Sequence, residues 1–166
     1  MTEHAAIRTY LKSDRLACLE IFDKNCPAFF SDDEREGLEL WLDGQDSGTI
    51  TYETSMADFF YVVLLDFEVI GCGGFYITKD NPVARITWGM IHPDFHSQGY
   101  GRKLLEFGIR QVEYLFPNYT IELDTSQHTF PFFEKLEFET KRITENAYKH
   151  GLHQYDMVRR PKVRKV

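Results

Sequence analysis

The feature that most constrains this chain is a glycine-containing turn, His96-Ser97-Gln98-Gly99-Tyr100-Gly101. It is set between an apolar run ending at Ile91 and a helical pattern beginning at Arg102. Glycines at 99 and 101 permit backbone conformations and close approaches that a Cβ would block. In the following helix, Leu105, Ile109, Val112 and Phe116 recur at spacings of 4, 3 and 4 before Pro117 ends it, which marks one buried face. The first-turn amides of such a helix have no intrahelical partner and lie at the positive end of its dipole. A strand, a glycine turn and a helix in this order therefore make a seat for a pyrophosphate, and Arg102 and Lys103 add charge at the same place. Two nucleotide motifs are excluded. A Walker loop requires Gly-Lys-Ser/Thr, whereas Gly101 is followed by Arg102-Lys103-Leu104. The dinucleotide fingerprint needs a small residue where Leu104 stands and follows the first strand of a doubly wound sheet.

The rest of the chain shows what holds this turn. Ile7 to Tyr10 alternates like a short strand, and Ser13-Asp14 offers a cap for a helix through Leu16, Leu19 and Phe22 towards Asn25-Cys26-Pro27. Ser31 to Glu34 has capping-box spacing and opens a second helix with Leu38, Trp41 and Leu42 on one face; Gly44 to Ser55 reads as loop. Phe59–Leu65 and Val69–Ile77 form a hairpin about Asp66–Glu68, and after the turn cluster Thr78–Pro82 a third antiparallel strand, Val83–Ile91, stops at His92-Pro93. Thr120–Asp124, beyond the Arg102–Phe116 helix, is expected parallel to Val83–Ile91 by a right-handed crossover. A two-turn helix over Thr129–Leu136 and strands Phe138–Ile143 and His153–Val158, around a loop containing Gly151, complete the chain. The order β-α-α-β-β-β-α-β-α-β-β predicts a mixed α+β fold, a largely antiparallel sheet with one parallel β-α-β unit and helices on its faces. One domain is expected over residues 5–160, with a basic tail at 161–166.

At the turn the chain resembles the GNAT superfamily of acetyl-CoA-dependent N-acetyltransferases. Their fingerprint, a strand followed by Gln/Arg-x-x-Gly-x-Gly/Ala and a helix, is matched by Trp88 to Leu105 through His96-Ser97-Gln98-Gly99-Tyr100-Gly101. Downstream, Ser126 to Phe138 is similar to the family's Asn-x-x-Ala-x-x-Phe-Tyr-Glu-Lys-x-Gly-Phe segment. The resemblance covers nearly the whole chain. It implies that the amides of Ser97, Gln98, Gly99, Tyr100, Gly101 and Arg102 hold the pyrophosphate of acetyl-CoA, with Lys103 adding charge beside them. It also implies that the pantetheine arm lies along the strand end Gly89-Met90-Ile91, as an added strand would. A backbone amide there, assigned to Met90, would polarise the thioester carbonyl. The acetyl group would pass directly to the primary amine of a small molecule or peptide while both are bound. The alternative is a CoA-binding sensor or interaction module without catalysis.

Three departures from the pattern bear on that choice. His96 stands where Gln or Arg is usual, and an imidazole can still donate to a phosphate. Ser126 replaces Asn, and Phe133 replaces the Tyr that in many members protonates the leaving thiolate. For the proton of the attacking amine a carboxylate is expected; Glu122 and Asp124 share one face of their strand, and Glu122 is the first candidate. Phe29 and Phe30, between the first two helices, with Trp88 and Tyr148, are the candidate acceptor lining.

Composition excludes other classes. Twenty-six acidic against nineteen basic residues give a charge of −7, contrary to the basic face a nucleic-acid binder needs. Five of the positive charges lie in the last eight residues, which leaves 14 against 26, net −12, on residues 1–158; the tail reads as solvated. An acidic body steers a cationic amine towards itself. Cys18, Cys26 and Cys72 form no CxxC, no segment has a signal-peptide pattern, and the apolar run Phe59–Leu65 is far short of the roughly 20 residues of a membrane helix. A cytoplasmic protein without membrane attachment is expected, its acceptor the main partner and a homodimer left open. His92 and His96 are separated by Pro93, and His150 and His153 lack a carboxylate partner motif, so no metal is expected. Cys72, between Gly71 and Gly73-Gly74, reads as close strand packing, or the glycine pair as room for a substrate.

Overall fold

Asp66 and Phe67 both take left-handed backbone, φ 47° and 71°, the geometry of a two-residue turn whose twist matches paired strands. In the computed structural model, which describes residues 4–162, this turn joins β2 (Ser55–Leu65) to β3 (Glu68–Thr78). The other elements are β1 (Ala5–Thr9), α1 (Arg15–Lys24), α2 (Arg35–Ser47), β4 (Val83–Ile91), α3 (Tyr100–Leu115), β5 (Thr120–Thr125), α4 (Phe130–Glu134), β6 (Glu139–Lys149) and β7 (Leu152–Arg159). One sheet holds all seven strands in the order β1-β2-β3-β4-β5-β7-β6. Only the β4–β5 pair is parallel, and the fold is the mixed α+β architecture the sequence predicts.

Helices cover both faces because each carries one apolar stripe. On one side Cys18, Ile21 and Phe22 of α1 and Leu38, Trp41 and Leu42 of α2 pack with Phe60, Val62, Cys72 and Met90. On the other, Leu105, Ile109 and Val112 of α3 pack on Phe75, Ile77, Ala84, Ile121 and Leu123. Leu16, counted in the apolar face of the first helix, is instead 81% exposed; the stripe runs through Cys18 and Ile21. The segment from Gly44 begins as helix, not loop. Gly44 is buried against Thr51, so close that a Cβ would lie 2.9 Å from the Thr49 carbonyl oxygen, and α2 ends only at Gly48, left-handed with φ 70°. β6 runs to Lys149, six residues past its predicted end, and pairs with β7 in a ladder interrupted between Thr140 and Arg142 and between Thr144 and Lys149.

The basic C-terminus is not uniformly solvated. Arg159 is 11% exposed and bonds Glu113 on α3 at 2.9 Å and Glu137 at 3.2 Å, and Lys162 reaches Glu137 at 3.4 Å. Arg164 and Lys165 lie outside the described residues. Among the described residues no helix is long and apolar enough to cross a membrane.

Candidate active site

β4 and β5 pair over three rungs only, Val83 with Thr120, Ala84 with Ile121 and Arg85 with Glu122. Beyond them β4 continues to Ile91 and β5 to Thr125 without pairing, so the sheet parts and leaves main-chain groups facing a gap. The other edge of β4 is irregular: Cys72 pairs with Met90 but Gly74 with Thr87, so Trp88 and Gly89 together face Gly73. This is a bulge, and Trp88 has left-handed backbone, φ 54°. Regular alternation would turn Trp88 to the α3 side; the bulge re-aims its ring to the α1–α2 side, against Phe22 and Phe30, both with ring centres 6.4 Å away. The glycines of β3 serve close packing. A Cβ on Gly73 would lie 3.1 Å from Gly89 Cα, and one on Gly74 would lie 1.9 Å from the Phe59 carbonyl oxygen.

His92 N donates to Ile70 O at 2.7 Å. In an antiparallel ladder successive residues alternate, so the main chain of Met90 turns to Cys72 on β3 and that of Ile91 turns into the gap. The Ile91 carbonyl is occupied: Asn25 Nδ2 donates to it at 3.0 Å and His96 Nε2 at 2.7 Å. The His96 ring lies edge-on to Phe29, centres 5.2 Å apart. His96 thus braces the strand end rather than extending towards a phosphate.

The turn itself is formed by left-handed Ser97 and Gly99, φ 60° and 88°. α3 starts at Tyr100, two residues before the predicted position, and its first intrahelical bond is Lys103 N to Gly99 O, 3.1 Å. The amides of Gly101 and Arg102 precede that bond. Ser97, Gln98, Gly99, Arg102 and Lys103 are exposed. A Cβ on Gly101 would touch only Ile91 Cγ1, at 3.8 Å, so the space over this glycine is open. Open amides, an exposed glycine path and two cations fit a diphosphate. Arg102 is shared with Glu106 at 2.9 Å, Lys103 Nζ stands 5.8 Å over the Tyr100 ring, and Gln98 donates to Asp94 O at 3.2 Å. After β5, Ser126 Oγ accepts from His128 N at 3.2 Å, and Phe133 packs on Phe132 and Phe138 with no hydroxyl to offer.

On the α1–α2 side of the gap the groups are charged. Arg85 donates to Glu122 at 3.2 Å and to Asp124 at 3.0 Å, and Tyr148 OH donates to Asp124 at 2.6 Å. Burial pushes the Tyr148 hydroxyl up, with the Asp124 bond adding to it, so it stays a donor. Glu34, which caps Ser31 N at 2.9 Å, is pushed above the usual carboxylate range by burial and by the charges of Asp124 and Asp33, against the pull of that cap. Of the predicted acceptor lining, Phe30 and Trp88 meet, Phe29 sits apart on His96, and Tyr148 stands across the carboxylates. Sequence reasoning missed Asn25, Glu34, Arg85 and Tyr52, whose hydroxyl accepts from Trp88 Nε1 at 3.4 Å. Only Glu34 left a signal, as a helix cap. Two other concavities, about 380 and 450 Å³, lie along the C-terminal segment, the first against α3 and the second against the α4–β6 connection. The Arg159–Glu113 and Lys162–Glu137 ion pairs line the first and the Lys162–Glu137 pair the second, and neither includes a residue of the β4–β5 gap or of the Ser97–Gly101 turn.

A sheet parted at its one parallel junction, with a bulge beside the gap and a glycine-opened helix at its mouth, defines an acetyltransferase scaffold. The chain belongs to the GNAT acetyltransferase family: the model of the acetyltransferase (GNAT) domain matches residues 57–140, half of the chain. No curated protein matches the sequence. Among solved structures, a GNAT-family protein of Desulfovibrio desulfuricans superposes with TM-score 0.78 at 18% identity, over 95% of this chain and 99% of that one. The ribosomal-protein-S18-alanine N-acetyltransferase of Escherichia coli gives 0.75 at 17%, over 98% and 97%. A Salmonella typhimurium protein solved with its cofactor acetyl-CoA gives 0.75 at 15%, over 98% and 97%. At these identities the likeness is one of fold.

Proposed function

We propose that this chain, acting in the cytoplasm, transfers an acetyl group from acetyl-CoA to the primary amine of a small molecule or peptide by direct attack. The observation that carries this reading is the three-rung β4–β5 junction opening beside the uncapped amides of α3. In this reading the Ser97–Lys103 turn holds the pyrophosphate, and the gap-facing edge at Gly89–Ile91 holds the pantetheine arm. The Ile91 amide, rather than that of Met90, is the donor placed to polarise the thioester carbonyl. Phe30 and Trp88 form the apolar wall for the acceptor, and Glu34, Glu122 and Asp124 give that side the charge an ammonium seeks. Glu122 takes the proton of the ammonium, directly or through water; the amine nitrogen bonds the acetyl carbon, the C–S bond breaks with its electron pair going to sulfur, and the nitrogen gives up a second proton to water, from which the thiolate is protonated. Phe133 cannot protonate the thiolate, and a thiol of pKa near 8.5 is a tolerable leaving group without help.

Phe133 also favours a second reading, a CoA-binding module without turnover. Release of free thiol from acetyl-CoA over a panel of polyamines, amino acids, aminoglycosides and short peptides separates the two. Thiol release that depends on one amine class supports the transferase. Tight acetyl-CoA binding with no release above the hydrolytic background supports the binding module.

A further inference from the structure

Four residues from three elements close a circuit around the end of β4. Asn25, the C-cap of α1, is 3% exposed, and its side chain donates to Ile21 O at 2.8 Å and to Ile91 O at 3.0 Å. His96, immediately before the left-handed Ser97, donates to the same Ile91 oxygen at 2.7 Å. A carbonyl oxygen carries two lone pairs, so these two donors saturate it. The His96 ring rests edge-on against Phe29, and Phe29 N donates to Asn25 O at 2.9 Å. The circuit runs Asn25, Ile91, His96, Phe29 and back to Asn25.

Three of its members belong to different parts of the proposed site, and Asn25 joins them. Ile91 ends the strand along which the pantetheine arm would lie, His96 opens the turn that would hold the pyrophosphate, and Phe29 belongs to the connection that borders the acceptor side. We infer that Asn25 and His96 are positioning residues that fix the Ile91 carbonyl and make the order of the Phe29-Phe30 segment depend on occupancy of the Ser97–Lys103 turn. With its carbonyl saturated, Ile91 offers the arm its amide alone, which leaves His96 in place when the turn fills. An anion seated on the turn restricts the backbone that carries His96; His96 then holds Phe29, and Phe29 and Asn25 hold the chain leading to Phe30. Phe29 is 53% exposed and has no other ring contact among the described residues, so its order has few other sources. By linkage, an acceptor that orders this segment strengthens CoA binding by the same factor.

This inference rests on the proposed function, and one experiment separates their failures. Hydrogen exchange of residues 26–31 is followed in the full chain with and without free CoA, beside calorimetric measurement of CoA affinity. In the wild type, CoA slows exchange at Phe29 and Phe30 by at least about fivefold, the low end of coupling between sites. His96→Ala loses the slowing and binds CoA more weakly. His96→Gln, whose amide can reach Ile91 O but offers no ring to Phe29, regains the affinity and not the slowing. A merely structural His96 would move affinity and exchange together and would be rescued in both by Gln. Slowing that persists in His96→Ala, or CoA binding with no slowing in the wild type, overturns the circuit alone. Failure of CoA to bind the wild type overturns the proposed function and the circuit with it.

Discussion

At the scale of single residues, the chemistry open to a side chain is decided by what it touches. Cys72, which its flanking glycines mark in sequence as a close-packing position, is fully buried, with Sγ 4.0 Å from the Trp88 carbonyl oxygen. Contact with Cys18 and then burial push its thiol well above the ordinary range, so no thiolate is present at neutral pH. Cys72→Ala should keep thiol release from acetyl-CoA within about twofold of wild type; a loss of several orders would mean that the acetyl group passes through an acyl-enzyme. Asp14 shows the opposite balance. Burial alone would raise it, but Arg8 at 2.7 Å and the Leu11 amide at 2.8 Å outweigh that and hold it below the usual carboxylate range. A lowered folded pKa gives stability that is present above the unfolded value, near 4, and lost as pH falls through the folded one. Asp14→Asn should therefore cost about 2 kcal/mol at pH 7, measured by urea unfolding, and the difference should shrink below about pH 4. A cost that does not vary with pH would remove the ionic explanation.

Between elements, the turn at Ser97–Gly101 separates two kinds of glycine. Gly99 caps α3 with φ 88° and has open space around it, so a side chain there is opposed by backbone strain. Gly101 lies within the first helical turn without positive φ. Gly99→Ala should lower stability by about 1 kcal/mol, whereas Gly101→Ala should leave it unchanged or slightly higher, since alanine favours helix. Both should weaken CoA binding, Gly101→Ala by about tenfold or more because its methyl group covers the amides. Unaltered affinity in Gly101→Ala would remove the pyrophosphate from this turn. Such local signals are what the sequence carries well. The 3.6-residue period of Leu38, Trp41 and Leu42, the Ser31–Glu34 cap and the hairpin of β2 and β3 about its turn act over a few positions and survive in the structure. The bulge at Trp88 depends on β3 across the ladder, and a period of two therefore aims that ring to the wrong face. Arg85 acquires meaning only when β5 lies beside it and brings Glu122 and Asp124. His96 matches the family's motif position, yet its partner is Ile91 because Asn25 and Phe29, about 70 positions away in the chain, shape its surroundings.

Over the whole molecule, a sheet that opens at one end of β4 and β5 must be secured at the other. The three rungs at Val83–Arg85 do this locally, and β7 adds a second fastening: its last residue, Arg159, pairs with Ile121 at the closed end. From there the guanidinium reaches across to α3 through Glu113 and to the α4–β6 connection through Glu137 and the Leu136 carbonyl, the last at 3.3 Å. One mostly buried cation thus ties helix, sheet and connection together, although its position in a run of basic residues suggests a loose tail. Arg160, its exposed neighbour, has the same charge and forms no ion pair among the described residues. The two separate anchoring from net charge. Arg159→Met, which keeps the length of the stem, should lower stability by about 1–2 kcal/mol, because its carboxylate partners are themselves exposed and are rehydrated when the cation goes. In a domain of this size that corresponds to a melting point lower by about 3–6 °C. Arg160→Met should leave it within about 1 °C, and raising salt should narrow the gap between the two variants. Equal melting points for the two variants would show that the closed end of the sheet is held by its strands alone.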